Sequence, residues 1–262
     1  MSRLSVENLS AGYGARPIVT DVSLGFPTGG ITALIGPNGC GKSTLLKTLG
    51  RILAPTQGAV ILDGKSIHAL PTRQLATKLG LLPQGPTAPE GLTVRDLVAQ
   101  GRFPHQGMLR QWSQGDEAAI TAAMAQANVT DLAQRAIDTL SGGQRQRAWI
   151  AMVLAQDTDL ILLDEPTTFL DLRVQIDLMD LLAHLAHDRG RTLIVVLHEL
   201  NLAAAYADHL VMMKDGRILH HGPVAQTFTA ATLHETFGLD AQIIPDPETG
   251  TPLCVPRSAR PK

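Results

Sequence analysis

The sequence predicts an α/β fold: a mixed sheet core with an antiparallel N-terminal β-subdomain and an inserted helical subdomain. Three stretches predict it. Residues 31–49 read as strand, glycine-rich loop and helix; residues 160–166 read as a strand ending in two carboxylates; residues 92 to about 155, between them, are mostly helical. Ile31 to Ile35 and Leu160 to Leu163 are short apolar runs, the pattern of parallel strands buried on both faces.

From residue 3 to 35, short strands alternate with turn signals at Gly12–Gly14 and Thr28–Gly30, an antiparallel start. Met1 to Leu9 alternates as a strand and lacks the apolar core of a signal peptide. Ser43 to Leu49 reads as a helix, and Ala59 to Asp63 and Leu79 to Pro83 as strands. Gly85 to Gly91, with Pro86 and Pro89, is loop. Helices are expected over Val94–Gly101, Asp116–Asn128 and Gly143–Ala155, before α/β alternation resumes at Asp159. Asp215-Gly216 between two apolar runs signals a hairpin, Ala231–Phe237 a last helix, and Asp240–Lys262 a proline-bearing tail. One domain over 1–240 is expected, its helical subdomain at about 85–155, followed by a tail at 241–262.

Gly36-Pro37-Asn38-Gly39-Cys40-Gly41-Lys42-Ser43-Thr44 contains the pattern G-x-x-x-x-G-K-[ST] between a strand and a helix. Backbone N–H groups at such a helix start form a concave anion site, and the glycines let the backbone approach phosphates. Lys42 would reach the β- and γ-phosphates of ATP, and the Ser43 hydroxyl would ligate Mg²⁺. Leu140-Ser141-Gly142-Gly143-Gln144 is a second glycine-rich helix start, with Ser141 at the N-cap. By itself it could be a capped helix and nothing more. Beside the first loop it acquires a role, because one ATP cannot easily lie on two distant helix starts of one monomer. A head-to-tail homodimer solves this, each ATP gripped by one copy's Lys42 loop and the other copy's Ser141 segment. Asp164 and Glu165 end the second strand at the carboxyl edge of the sheet, where α/β ligand sites lie. Asp164 would hold Mg²⁺ through its water shell, and Glu165 would orient or deprotonate the attacking water.

With these three motifs in this order, the chain resembles the ATP-binding cassette (ABC) proteins, the cytoplasmic ATPases of ABC transporters, from about residue 3 to 240. The resemblance implies the P-loop NTPase fold of an ABC nucleotide-binding domain, with ATP and Mg²⁺ as cofactors. It also implies roles for further positions. Gln84 matches the Q-loop glutamine, which contacts Mg²⁺ and water; His198 matches the switch histidine at the γ-phosphate. Thr168-Phe169-Leu170-Asp171 matches the D-loop, with Asp171 crossing the dimer interface. Tyr13 matches the aromatic that stacks on adenine, a contact worth roughly 1–3 kcal/mol. Glu199 stands where the family usually has Asp.

Several stretches resemble the ATPases of iron-siderophore importers, close to the ferric dicitrate type: Gly36–Leu46 with its cysteine, Leu81–Gln84, Pro89–Val94, Gly101–Pro104, Ala151–Gln156, Glu165–Asp171, Ile244–Pro247 and Gly250–Cys254. That subgroup includes haem and cobalamin importers, and an exporter ATPase is a more distant alternative. The resemblance implies integral membrane permease subunits as partners and, indirectly, a periplasmic or surface substrate-binding protein. It places the chain peripherally on the cytoplasmic face of the inner membrane. Chromosome-organising relatives insert long coiled coils, and translation factors of this type carry two cassettes; neither pattern occurs here.

Composition sets limits. A formal net charge of −2 and 3% aromatic residues give no footprint for nucleic acid. No run of 18 apolar residues occurs, so no membrane span is expected, and an added regulatory domain is not expected either. Two cysteines are too few for a disulfide framework. Cys40 lies inside the phosphate loop, so a thiol reagent is expected to inactivate the protein, with ATP protecting it. His184 and His187, and His220-His221, are expected to be solvated or packed rather than metal-bound.

Overall fold

In a computed structural model of the chain, residues 2–14, 16–107 and 112–257 are described. Two compact units divide it, one built from Met1–His68 and Thr192–Lys262, the other from Ala69–Arg191. Besides the stretch 85–155, the second unit holds two strands, a short helix and a long one.

The first unit opens with β1 (Ser2–Tyr13) and β2 (Arg16–Pro27), antiparallel partners of 12 residues each rather than a series of short strands. The inward set Leu4, Val6, Leu9 and Ala11 takes an odd step between 6 and 9. A register shift falls there, with Asn8 left-handed at φ 46°. That bulge re-phases the strand and keeps both halves facing the core. β3 (Ile31–Ile35), buried at every residue, leads into α1 (Lys42–Leu49). β4 (Gln57–Leu62) and β5 (Lys65–Ser66) complete an antiparallel sheet in the order β2-β1-β4-β5.

The second unit begins with α2 (Thr72–Ala76) and β6 (Leu79–Leu82). The helices α3 (Val94–Gln100), α4 (Gln114–Gln126) and α5 (Gly142–Ala155) then pack on one another. β7 (Leu160–Asp164) pairs in parallel with β6, and α6 (Leu172–His187) follows. A buried ion pair fixes the helices: Arg102 Nε donates to Asp116 Oδ1 at 2.9 Å, and Arg102 Nη1 to the Ala155 carbonyl at 2.7 Å. Asp116 also closes the capping box of α4 with Ser113. The Ser113 hydroxyl and then the Arg102 guanidinium hold its carboxyl down at about 2, against the opposing effect of burial.

Back in the first unit, β8 (Thr192–Val196) lies parallel to β3, and α7 (Leu200–Tyr206) follows it. β9 (His209–Lys214) is also parallel to β3 and forms a hairpin with β10 (Arg217–Pro223). Asp215 and Gly216 both have positive φ, 49° and 78°, as a tight hairpin turn requires. α8 (Val224–Thr227) and α9 (Ala230–Phe237) come next.

The expected tail is not a tail over its described part. β11 (Ala241–Pro245) and β12 (Pro252–Pro256) form an antiparallel ribbon; residues 258–262 lie outside the described residues. The prolines disguise it, yet they pair at its ends, Pro245 with Pro252 and Pro256 with Ala241. There a missing N–H costs little.

Candidate functional site

The phosphate loop is formed by the geometry of its own backbone. At Gly36 a Cβ would stand 2.2 Å from the Met213 carbonyl oxygen, so only glycine fits. α1 starts without a side-chain cap, its N-cap Gly41 having φ 106°. The first-turn N–H groups of a helix have no intrahelical partners and, with the helix dipole, favour an anion. Lys42 is 5% exposed, and its Nζ donates to the carbonyls of Gly36 (2.8 Å) and Pro37 (3.1 Å). The ammonium is thus laid across the loop. Asn38 and Gly39 form its exposed lip, while Ser43 and Thr44 lie in the first turn of α1. Cys40 is buried; burial pushes its thiol up, and Lys42 only partly opposes this. Its modification at neutral pH is therefore expected to be slow.

His198 follows β8. The register Leu34 to Val196 and the bond from Leu197 N to Leu34 O (3.2 Å) bring it to the sheet edge where Gly36 leaves β3. Tyr13 ends β1 and is 54% exposed, which fits a stacking face better than a core position. The β1–β2 ribbon that carries it meets the loop at Ile18 and Val19, beside Gly41.

In the second unit, Asp164 ends β7 and is 2% exposed, with its Oδ2 atom buried away from water. Glu165 follows in a left-handed conformation, φ 53°. A bulky residue there is strained by roughly 1–2 kcal/mol, and such strain concentrates at functional sites. Gln84 Nε2 donates to Glu165 Oε2 at 2.6 Å, and Thr168 Oγ1 reaches the same oxygen at 3.3 Å. Gln84 and Glu165 are thus brought together. Thr168 is an addition, whose sequence signal is its place three residues after Glu165. Ser43, Gln84 and Asp164 offer a hydroxyl, an amide carbonyl and a carboxylate, all hard oxygen donors of the kind Mg²⁺ takes.

Ser141 caps α5 through a capping box with Gln144: Gln144 N donates to Ser141 Oγ at 3.3 Å, and Ser141 N to Gln144 Oε1 at 3.2 Å. Leu140 is buried beneath. The two glycines differ. A Cβ at Gly143 would meet Val174 Cγ1 at 2.7 Å, whereas one at Gly142 meets nothing within 4 Å. The segment Ser141–Gln144 and Asp171 line one cleft of about 480 Å³. Asp171 also caps α6, accepting from Val174 N at 3.0 Å. Phe169, left-handed at φ 63°, is fully exposed on the rim. Sequence reading does not single out Arg147 and Val174, which join this cleft from two different helices. Of the other histidines, His184 pairs with Asp188 and His220 with Glu235.

The family model described as ABC transporter matches residues 19–168. The achromobactin transport ATP-binding protein CbrD of Dickeya dadantii (strain 3937) is 50% identical over 98% of this chain and 95% of its own. The ferric enterobactin transport ATP-binding protein FepC of Escherichia coli (strain K12) is 49% identical over 98% of this chain and 94% of its own. Among solved structures, the dimeric post-hydrolysis state of the ATP-binding cassette MJ0796, bound to ADP and phosphate, matches with a TM-score of 0.74 at 28% identity. That match covers 84% of this chain and 98% of the other. Among the described residues, no helix is long and apolar enough to cross a membrane.

Proposed function

The chain belongs to the ABC transporter family, and we propose that it is the ATP-hydrolysing subunit that powers a ferric-siderophore importer. The observation that carries this reading is its similarity, over nearly the full length of both chains, to ATP-binding proteins of achromobactin and ferric enterobactin transport.

ATP lies with its phosphates on Gly36–Thr44 and its adenine on Tyr13. Lys42 exchanges the carbonyls of Gly36 and Pro37 for the β- and γ-phosphate oxygens, so its desolvated ammonium keeps partners throughout. The imidazole of His198 contacts the γ-phosphate. Glu165 accepts a proton from the attacking water while the water oxygen bonds to the γ-phosphorus and the bond to the bridging β–γ oxygen breaks. ADP and phosphate result. Gln84, hydrogen-bonded to Glu165, helps orient the carboxylate and the water. Ser43 and Gln84, with Asp164 acting through the water shell, would hold Mg²⁺, which would supply charge neutralisation to the phosphates. Phosphoryl transfer of this kind is positioning and charge stabilisation above all.

The cleft at Ser141–Gln144 faces the ATP of a second copy, and Asp171 crosses between the two copies. The homodimer works beneath integral membrane permease subunits, peripheral to the cytoplasmic face of the inner membrane. A periplasmic or surface substrate-binding protein delivers the cargo, and ATP-driven closure reshapes the permease.

The test is Glu165→Gln. It is expected to keep ATP affinity, to lose on the order of 10²–10³ in turnover, and to elute from gel filtration as a dimer when ATP is present. A variant that hydrolyses ATP normally, or stays monomeric with ATP, contradicts the assignment.

A further inference from the structure

The C-terminal ribbon holds the helix that continues from His198. Asn201 lies in α7. Its Oδ1 accepts from Cys254 N at 2.8 Å, and its Nδ2 donates to the Cys254 carbonyl at 3.3 Å. One side-chain amide thereby satisfies both backbone groups of a β12 residue, as a neighbouring strand would. Cys254 itself is only 6% exposed, so its backbone would not readily find water instead.

α7 has 7 residues, too few to hold itself by intrinsic stability. It rests on β3, the strand that feeds the phosphate loop, and on β12, burying Ala203 and Ala204. Upstream, Leu197 N is fixed to the Leu34 carbonyl. Downstream, Glu199 is the N-cap of α7 and accepts from Ala203 N at 3.0 Å. His198 is the single residue between these two anchors. A shift of α7 therefore moves His198 directly, with no intervening loop to absorb it.

We propose that Asn201 is a positioning residue for ATP hydrolysis: it fastens α7 to the C-terminal ribbon and thereby sets where the imidazole of His198 stands. The inference rests on His198 acting at the γ-phosphate. It makes the ribbon part of the catalytic support and not an appendage.

Steady-state ATPase kinetics on the full-length chain test it with Asn201→Ala, Asn201→Asp, His198→Ala and the double variant Asn201→Ala/His198→Ala. Asn201→Ala is expected to lower kcat by about tenfold, as small misplacements of a catalytic group do. KM and ATP affinity should stay within about twofold, because the phosphate loop is untouched. Asn201→Asp keeps the shorter, accepting bond to Cys254 N and should recover part of the loss. In the His198→Ala background, Asn201→Ala should cost nothing further. Hydrogen exchange at the Cys254 amide should accelerate in Asn201→Ala, showing that the clasp has opened in a folded protein. If the clasp opens and kcat is unchanged, or if the two losses multiply in the double variant, the positioning role is wrong while His198 keeps its own. Equal loss of kcat and ATP affinity overturns it as well. Full activity in His198→Ala instead refutes the reading on which the inference rests.

Discussion

The two glycines of the Ser141–Gln144 segment should separate structure from function. In Gly143→Ala the new Cβ lies 2.7 Å from Val174 Cγ1, 3.5 Å from Cγ2 and 3.7 Å from Cβ. Carbon atoms prefer about 3.5–4.0 Å, so the overlap is close to 1 Å at Cγ1. Such overpacking costs about 1–3 kcal/mol. Replacing a helical glycine returns at most about 1 kcal/mol of backbone entropy, less here because residue 143 is in the first turn. In Gly142→Ala the methyl meets nothing, so only the small gain remains. Urea unfolding should therefore place Gly143→Ala about 1–3 kcal/mol below Gly142→Ala in stability. Adding Val174→Ala to Gly143→Ala should recover most of the difference, since it removes the colliding atoms. ATPase assays should rank the variants the other way. Gly142→Ala puts a methyl into the open cleft where the second copy's ATP is proposed to lie, and should lose activity in a stable protein. Equal stabilities of the two variants would show that Val174 does not constrain residue 143, and normal turnover in Gly142→Ala that the cleft holds no nucleotide.

Lys42→Ala removes the cation laid over Gly36 and Pro37; titration calorimetry should find ATP affinity lost, and retained affinity would contradict the phosphate-loop assignment. Asp116→Asn should destabilise the fold by roughly 2–3 kcal/mol in urea, because Arg102 is left as a buried charge without its counter-ion. The wild-type pair also sets a pH dependence. The folded carboxyl titrates at about 2, below its unfolded value of 3.8, so its contribution is complete above the unfolded value and is lost as pH falls through the folded one. Acid titration of thermal stability should show this loss in wild type, and no such step from this site in Asp116→Asn. Cys40 and Cys254 are both buried, with thiols pushed up by burial. A thiol reagent should react slowly at neutral pH and faster as pH rises, with ATP protecting Cys40 selectively; rapid stoichiometric labelling at neutral pH would count against the burial.

The parts of the site with local signals were legible in the residues. The strand-loop-helix at 31–49, the strand ending at Asp164-Glu165, the Ser141 cap and the Asp215-Gly216 hairpin each lie within a few consecutive positions, where spacing and turn chemistry act. What escaped was long-range or masked by composition. Arg102 and Asp116 carry no pairing signal in the sequence and become a buried pair only when α3, α4 and α5 pack. Prolines made residues 241–256 read as a tail, although they sit at the ends of a ribbon. Asn201 carries no motif, since its partner is a backbone 53 residues away. Sequence pattern likewise did not mark the unit boundaries at 69 and 191, which depend on contacts among distant elements.

Uptake in a strain lacking this chain tests its role in ferric-siderophore import. Labelled ferric siderophores, haem and cobalamin would be supplied in parallel, with the strain complemented by wild type or by Glu165→Gln. Uptake of a ferric siderophore should be lost in the deletion and restored by wild type alone. Intact uptake of every ferric siderophore without the chain, or restoration by Glu165→Gln, would contradict that role.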